Sequence, residues 1–539
     1  MMKVLILGGG FGGVYCARRL QKIKKNSMEV EIISNNNYFI FQPLLPEVAS
    51  GTISASDAVT PIRQMLPNVR FRNAEIQNIS LKDRNVKILQ GFRRRKHTVN
   101  FDHLVIAMGQ ECNLDIVKGL KYHSLTMRDL KDAYNVRNHI LRCLELADVT
   151  KDEKLKRRLL NIVVVGGGFS GVETAGELKE MTDRLLPYYR NIKKENLKFH
   201  IVEYSKNLLP ELGYQIGEYT KKIFKKRKIR IYLSTALKEV SKYNAILDDG
   251  SKIETNTVIS TIGSTASKLV ANSSLPLKYG KIVTDQFMEV VNYKNVWALG
   301  DVGMIPNAVN GSTEFSPPTA QFAVRQAKCL AKNIMLREFN KDLVSFKYKS
   351  KGSLASLGSK VGVGKIFFFD VKGLLGWIIW RAFYLTFIPS VSTKLRVLVS
   401  WILEFFVPRK AVLTESLNNK PVSYEIYKKG DIVFEEGMIA DGFYIVKEGE
   451  FENIFRKTKD GKIFKKIYKS GSHFGSRVIL EGGRRTGTIK AKKNSVVLKI
   501  EKDSFKILAE NFPILNRYFS NYLPKTFKKL NLNEINDNT

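Results

Sequence analysis

Val4-Leu5-Ile6-Leu7-Gly8-Gly9-Gly10-Phe11-Gly12-Gly13 is the stretch that decides the fold. Four apolar residues without a polar break predict a buried parallel strand, the glycines a tight turn, and Val14 to Leu20 the start of a helix. Gly8 permits the turn, Gly10 lets backbone approach a pyrophosphate, and Gly13 lets helix and strand pack closely. Unpaired amides and the helix dipole then draw the phosphates. A lone Gly-x-Gly-x-x-Gly is often only a turn, but this chain repeats it. Ile162-Val163-Val164-Val165 leads into Gly166-Gly167-Gly168-Phe169-Ser170-Gly171-Val172, so Gly166, Gly168 and Gly171 reproduce the first spacing. The expectation is an α/β chain with two Rossmann-like dinucleotide-binding domains.

Two such units suggest one dinucleotide held permanently and one exchanging, the logic of a flavoprotein reductase. At 539 residues the chain should divide into three or four domains. With 88 Lys+Arg against 51 Asp+Glu the net charge is +37, which suits an acidic membrane surface or nucleic acid, or reflects compositional bias alone. Nothing beyond this charge points to nucleic acid, and none is expected as a partner. Cys16, Cys112, Cys143 and Cys329 are scattered, so neither a disulfide framework nor a zinc site is expected, and no metal. The first strand begins by Lys3, which leaves no room for a leader and predicts a cytoplasmic location.

After the first helix, Val30 to Ile33 predicts the second strand, where an acidic residue should meet the adenosine ribose. Here the position reads Ser34-Asn35, leaving a hydroxyl in place of a carboxylate. Aromatics and Pro43 follow in Tyr38 to Leu45, next to the nucleotide seat or simply as core under a loop. Residues 69 to 106 alternate as short antiparallel strands, with Arg93-Arg94-Arg95-Lys96 at a hairpin tip. Leu104 to Met108 is a strand ending in Gly109, and residues 129 to 160 read as a charged helical connector. In the second unit the acidic residue is in place: Glu203 ends the strand Phe199 to Val202, and should favour NADH over NADPH by repelling a 2′-phosphate. Gly263 closes that unit. Asn295 to Leu299 is a strand ending in Gly300-Asp301, a carboxylate suited to a ribityl hydroxyl. Pro317-Pro318 should fix the start of the helix carrying Ala320, Gln321, Arg325 and Gln326.

These stretches together resemble the type II NADH dehydrogenases, single-subunit, non-pumping NADH:quinone oxidoreductases. The matching residues are Gly8 to Gly13, Phe41-Gln42-Pro43-Leu44-Leu45, Gly166 to Leu178, Ala298 to Asp301 and Ala320 to Gln326. The resemblance implies non-covalent FAD at Gly8, Gly10, Phe11, Gly12, Gly13, Ser34, Gln42, Pro43, Leu44, Gly109, Gly300, Asp301, Ala320 and Gln321. It implies NADH at Gly166, Gly168, Phe169, Ser170, Gly171, Glu203 and Gly263, and quinone near Gln321 and Arg325. Arg325 stands where the family pattern has glutamine, which puts quinone choice in question. Glu173 is carried over as a residue that positions the nicotinamide or handles a proton, the alternative being a helix-start carboxylate. The absence of paired cysteines argues against the disulfide and sulfide:quinone reductases of the same fold.

The segments 373 to 388 and 395 to 407 are apolar but too short to span a bilayer, which needs roughly 20 such residues. They are expected as two interfacial amphipathic helices, with Trp377, Trp380, Tyr384 and Trp401 at the headgroup level and Lys394, Arg409 and Lys410 meeting anionic lipid. A buried contact in a homodimer is the other reading, and a homodimer is expected. Beyond Lys410, regular short strands and glycine turns resemble a cyclic nucleotide-binding β-roll, whose cassette would be Phe474 to Thr488. Gly475, Ser476, Arg485 and Thr486 would line it, with Arg485 on the cyclic phosphate, but Ser476 replaces the family's ribose-binding glutamate. The expected domains are 1–155 and 269–345 for FAD, 156–268 for NADH, 346–410 for the membrane and 411–539 for the β-roll. The expected place is the cytoplasmic face of the cell membrane. A soluble NADH-dependent flavin reductase and a redox- or nucleotide-sensing regulatory flavoprotein are the alternatives.

Overall fold

The computed structural model describes residues 1–23, 28–309, 314–409, 412–413, 421–456, 463–476 and 484–512. Its first sheet has seven strands, in the order Val296–Ala298, His103–Ile106, Met2–Leu7, Met28–Ser34, Arg70–Ser80, Asn85–Gln90, Arg95–Asn100. The first five run parallel, and the fifth, Arg70–Ser80, continues with the last two as an antiparallel meander. Val4 to Leu7 are fully buried, as a strand covered on both faces requires. The helices Phe11–Ile23 and Ala320–Glu338 pack against each other on this unit. Pro317 and Pro318 precede the second of these; its start is set by Thr319, whose hydroxyl accepts from the Phe322 amide.

The second sheet is all parallel: Leu125–Thr126, Thr257–Ser260, Asn161–Val165, Lys198–Val202, Ile229–Tyr232. The chain crosses between the units on two paired strands, Glu111–Cys112 and Ser264–Thr265. The first crossing therefore falls near 112 and not at 155, because Leu125–Thr126 already belongs to the second sheet. In each sheet the chain leaves the strand before the glycine loop to one side and later returns to its other side, so each loop sits at a topological switch point.

Three antiparallel strands, Gly352–Ser356, Gly362–Ile366 and Phe369–Lys372, lead into the helices Gly373–Phe387 and Val391–Leu403. The β-roll follows as two four-stranded antiparallel sheets closed by the helix Lys502–Asn511. Its first strand, Val422–Tyr427, docks on the second unit. There the Ile426 amide donates to His123 Nε2 at 2.8 Å, the Lys242 amide donates to the Ile426 carbonyl at 2.9 Å, and Lys242 and Lys428 pair with Glu425 and Glu239. Burial, reinforced by Lys242, lowers His123 to about 4, so its ring stays a neutral acceptor.

Candidate active site

The glycines of the first loop divide into two kinds. A Cβ at Gly13 would lie 1.9 Å from the Gly8 carbonyl oxygen, and one at Gly8 (φ +113°) would lie 2.3 Å from that of Ala107, so backbone crosses backbone there. At Gly10 nothing lies within 4 Å: the loop is open where a pyrophosphate would approach. Ser34 stands at the end of Met28–Ser34 beside Gly9, and its hydroxyl accepts from the Asn36 amide. Phe11 packs on Phe39 and Phe41, with ring centres 4.9 and 5.7 Å away, while Gly12 faces Leu299. Gly109 (φ +65°) also opens onto free space.

Gly300 (φ +74°) donates its amide to Gln326 Oε1 at 2.8 Å. Thus Gln326, matched to the quinone-side pattern, is buried and pins the Gly300-Asp301 turn. Burial raises the Asp301 carboxyl, opposed by Arg128 and Lys281, and it accepts no hydrogen bond among the described residues. A carboxylate left half-sheltered in this way fits a hydroxyl-bearing ligand. Gln42 Nε2 donates to the Arg128 carbonyl, and Pro43 and Leu44 form the turn behind it.

The second loop repeats the division. A Cβ at Gly171 would lie 1.8 Å from the Gly166 carbonyl oxygen, whereas the nearest atom to one at Gly168 is 4.0 Å away. Glu203 accepts from the Gly167 amide at 2.5 Å and from the Ser205 amide at 2.7 Å, so the ribose-reading carboxylate is held against the loop. Gly263 (φ +75°) crowds the Asn113 carbonyl. Phe169 and Ser170 open the helix Phe169–Leu185. Both seats have the close crossings and open faces that a dinucleotide needs, and the donors present fit FAD in one and NADH in the other.

The two units share a wall. Glu173, on the helix after the second loop, is buried; its Oε1 accepts from Trp380 Nε1 and from the Ser356 amide, both at 3.0 Å. Burial pushes its carboxyl up to about 8, against those two donors. The Tyr384 ring lies between Trp380 (4.9 Å) and Phe41 (5.9 Å) of the first unit. Beside it Glu47, from the helix Leu45–Ala49, accepts from Trp401 Nε1 at 2.8 Å and is pushed up to about 8 by burial, with Arg381 opposing. Ser50 donates to Glu177 Oε2 at 2.9 Å.

This wall corrects the expected headgroup anchors. Trp377, Trp380 and Trp401 are buried, 8%, 1% and 3% exposed, because their indoles find a guanidinium or a carboxylate inside. Arg381 lies 3.9 Å over Trp377 and 4.7 Å from Trp401. Tyr384 is likewise enclosed by aromatic rings. Arg409 does not meet lipid either. It bonds to Glu404 at 2.6 Å and faces Glu180 at 3.4 Å and Glu177 at 3.7 Å; Arg381 holds the other Glu404 oxygen at 2.7 Å. Burial alone would raise Glu404, and these two arginines reverse it. Lys394 donates to the Thr386 carbonyl, and Lys410 lies outside the described residues.

What faces outward is mostly aliphatic: Leu374, Leu375 and Ile378 on one helix, Leu395, Val399 and Ile402 on the other, with Ser392 and Arg396 exposed among them. Phe367, Phe368 and Phe369 stand at a hairpin tip, 61%, 86% and 75% exposed. That triplet escaped the sequence reading, although three aromatics between Ile366 and Asp370 at a turn were a visible signal. No helix among the described residues is long and apolar enough to cross a membrane, and no group of metal ligands occurs among them. The four cysteines are free.

Gln321 accepts from the Tyr348 hydroxyl at 2.9 Å and from Ser350 at 3.2 Å. Arg325 stacks over Tyr348 (4.9 Å) and Phe387 (5.5 Å), so the guanidinium lies flat on aromatic rings between the FAD unit and the apolar helices. Ala320 opens that helix. In the β-roll, Arg485 is buried, donating to Asp441 at 2.9 Å and to the Gly475 and Gly442 carbonyls, over the Phe434 ring. Ser476 is half-buried and Thr486 exposed beside it, and residues 477–483 of the expected cassette lie outside the described residues.

Residues 2–327 match the family model for pyridine nucleotide-disulphide oxidoreductases, 350–410 the NDH2 C-terminal domain and 424–512 the cyclic nucleotide-binding domain. The chain is 31% identical to a probable NADH dehydrogenase of Dictyostelium discoideum, over 74% of this chain and 88% of that one. It is 26% identical to the type II NADH:quinone oxidoreductase Ndh of Mycobacterium tuberculosis, over 76% and 90%. The fold superposes on NDH2 of Plasmodium falciparum in complex with NADH with a TM-score of 0.71 at 22% identity, covering 76% of this chain and 99% of that one. The chain belongs to the pyridine nucleotide-disulphide oxidoreductase family. Within it, it is a type II NADH dehydrogenase, an FAD-dependent NADH:quinone oxidoreductase with a β-roll added.

Proposed function

We propose that the protein carries electrons from NADH to a membrane quinone without moving protons across the bilayer, lying peripherally on the cytoplasmic face with its aliphatic helices and phenylalanine hairpin against lipid. The observation that carries this reading is the shared wall, where Glu173 from the NADH unit and Phe41 from the FAD unit meet the same aromatic helix, Gly373–Phe387. Bound non-covalently, FAD supplies the two-electron relay between donor and acceptor. Gly10 and its loop hold the pyrophosphate, Asp301 the ribityl chain, and Gly168 and Glu203 the NADH. With both donors on Oε1, Glu173 carries its proton on Oε2 at neutral pH, a proton source beside the acceptor path. Gln321 and Arg325 border that path on the FAD side. The β-roll, docked through His123 and Lys242, is read as a modulator of the NADH unit.

Anaerobic NADH should bleach the bound flavin, and a soluble quinone should restore its absorbance. A protein that purifies without flavin, or whose flavin NADH cannot reduce, overturns the reading. Calorimetry with cyclic AMP and cyclic GMP tests whether the β-roll takes a nucleotide.

A further inference from the structure

The helices Phe11–Ile23 and Ala320–Glu338 form an open surface pocket of about 340 Å³ lined by Tyr15, Arg18, Arg19, Lys22, Val324 and Lys328. Four of its six residues are cations, and none of the four has a carboxylate partner within 4.0 Å among the described residues. Elsewhere the chain neutralises its basic groups near the wall: Arg381, Arg409 and Arg184 all reach Glu404 or Glu180. Four like charges around one concavity give it a positive potential that draws an anion, although Arg19, Lys22 and Lys328 also reach solvent. The spacing is local in origin, since Arg18 and Lys22 stand one helical turn apart, as do Val324 and Lys328.

The place of the pocket identifies the anion. The Tyr15 hydroxyl donates to the Phe387 carbonyl at 3.2 Å, so the pocket adjoins the last turn of the helix Gly373–Phe387. Just beyond, Val391 is 72% exposed at the start of the next helix, on the aliphatic face already described. A cationic pocket beside an outward apolar surface matches the two halves of an anionic lipid, acyl chain and phosphate. We infer that this pocket holds the phosphate of an anionic lipid headgroup, seating the enzyme on the bilayer at a defined point. The inference rests on the membrane reading above and adds a specific lipid site to it.

The test is flotation of the FAD-loaded, full-length enzyme with phosphatidylcholine vesicles and with the same vesicles doped with phosphatidylglycerol. Wild type should partition more strongly onto the doped vesicles. The triple variant Arg18→Gln, Lys22→Gln, Lys328→Gln should lose that gain, by roughly fivefold for each charge and about a hundredfold in all. Its binding to pure phosphatidylcholine and its flavin content should not change. A matched control, Arg93→Gln, Arg95→Gln, Lys96→Gln at the far edge of the seven-stranded sheet, removes equal charge and should keep most of the gain. Equal losses in the two variants would make net charge the cause and overturn the pocket. If inorganic phosphate, compared with chloride at equal ionic strength, abolishes the gain in wild type and a short-chain phosphatidylglycerol below its micellar concentration does not, the pocket belongs to free phosphate and the lipid assignment falls. Wild type that floats with neither vesicle would instead overturn the membrane reading itself.

Discussion

Glu173→Gln tests whether the wall between the two cradles is held neutral. Glutamine keeps the shape and an acceptor for Trp380 Nε1 and the Ser356 amide while removing the ionisable proton. In the folded chain burial moves this carboxyl from about 4.5 to about 8. Between those values the folded state keeps a proton that the unfolded chain releases, so stability must fall as pH rises through the window. Below it both states are protonated and the group contributes nothing; above it the full cost of a buried charge is present. At 1.36 kcal/mol per decade of pH, that cost reaches about 5 kcal/mol, and about 2 kcal/mol if the wall relaxes around the charge. The glutamine variant lacks this slope. The gap between the two proteins, measured by urea unfolding of the FAD-loaded enzymes at a series of pH values, should therefore move by about 1.5–3.5 kcal/mol in the variant's favour from pH 5 to 8. A gap that stays flat within about 0.5 kcal/mol would show the carboxylate already ionised in the fold, and the neutral wall would be refuted.

Arg409→Ala should cost about 3–5 kcal/mol by leaving Glu177 without a cation and Glu404 and Glu180 with only Arg381 and Arg184, and Arg409→Met with Glu404→Met should recover much of it; urea midpoints at pH 7.5 decide. Gly13→Ala should yield protein without flavin absorbance, since its Cβ meets the Gly8 carbonyl. Gly171→Ala should keep flavin but raise the KM for NADH at least tenfold, because its clash lies in the other loop. Glu203→Ala frees the Gly167 and Ser205 amides and removes the charge that repels a 2′-phosphate, so the ratio of kcat/KM for NADPH over NADH should rise at least tenfold in steady-state assays.

Local sequence determined the two cradles of this protein. An apolar run, a glycine turn and a helix start are contiguous, and the roles of Gly13 and Gly171 follow from crossing the Gly8 and Gly166 carbonyls five residues back, while Gly8 and Gly166 also abut Ala107 and Thr261 from farther along the chain. The meander of Arg70–Ser80, Asn85–Gln90 and Arg95–Asn100 and the helical connector are legible for the same reason, being built from near neighbours. Composition also marked the segments 373 to 388 and 395 to 407 as apolar, but it could not say which side of each helix turns outward. Tertiary structure decided that. Glu47, Glu173, Glu177, Arg381, Glu404 and Arg409 come from four separate parts of the chain, and only their convergence draws the tryptophans inward and leaves leucine, isoleucine and valine outside. Likewise, Gln326 turned from the acceptor path to pin Gly300, and the cations of two distant helices formed one pocket. A buried charge or indole N–H must find a partner wherever the fold supplies one, and that partner is set by packing across hundreds of residues, not by sequence spacing.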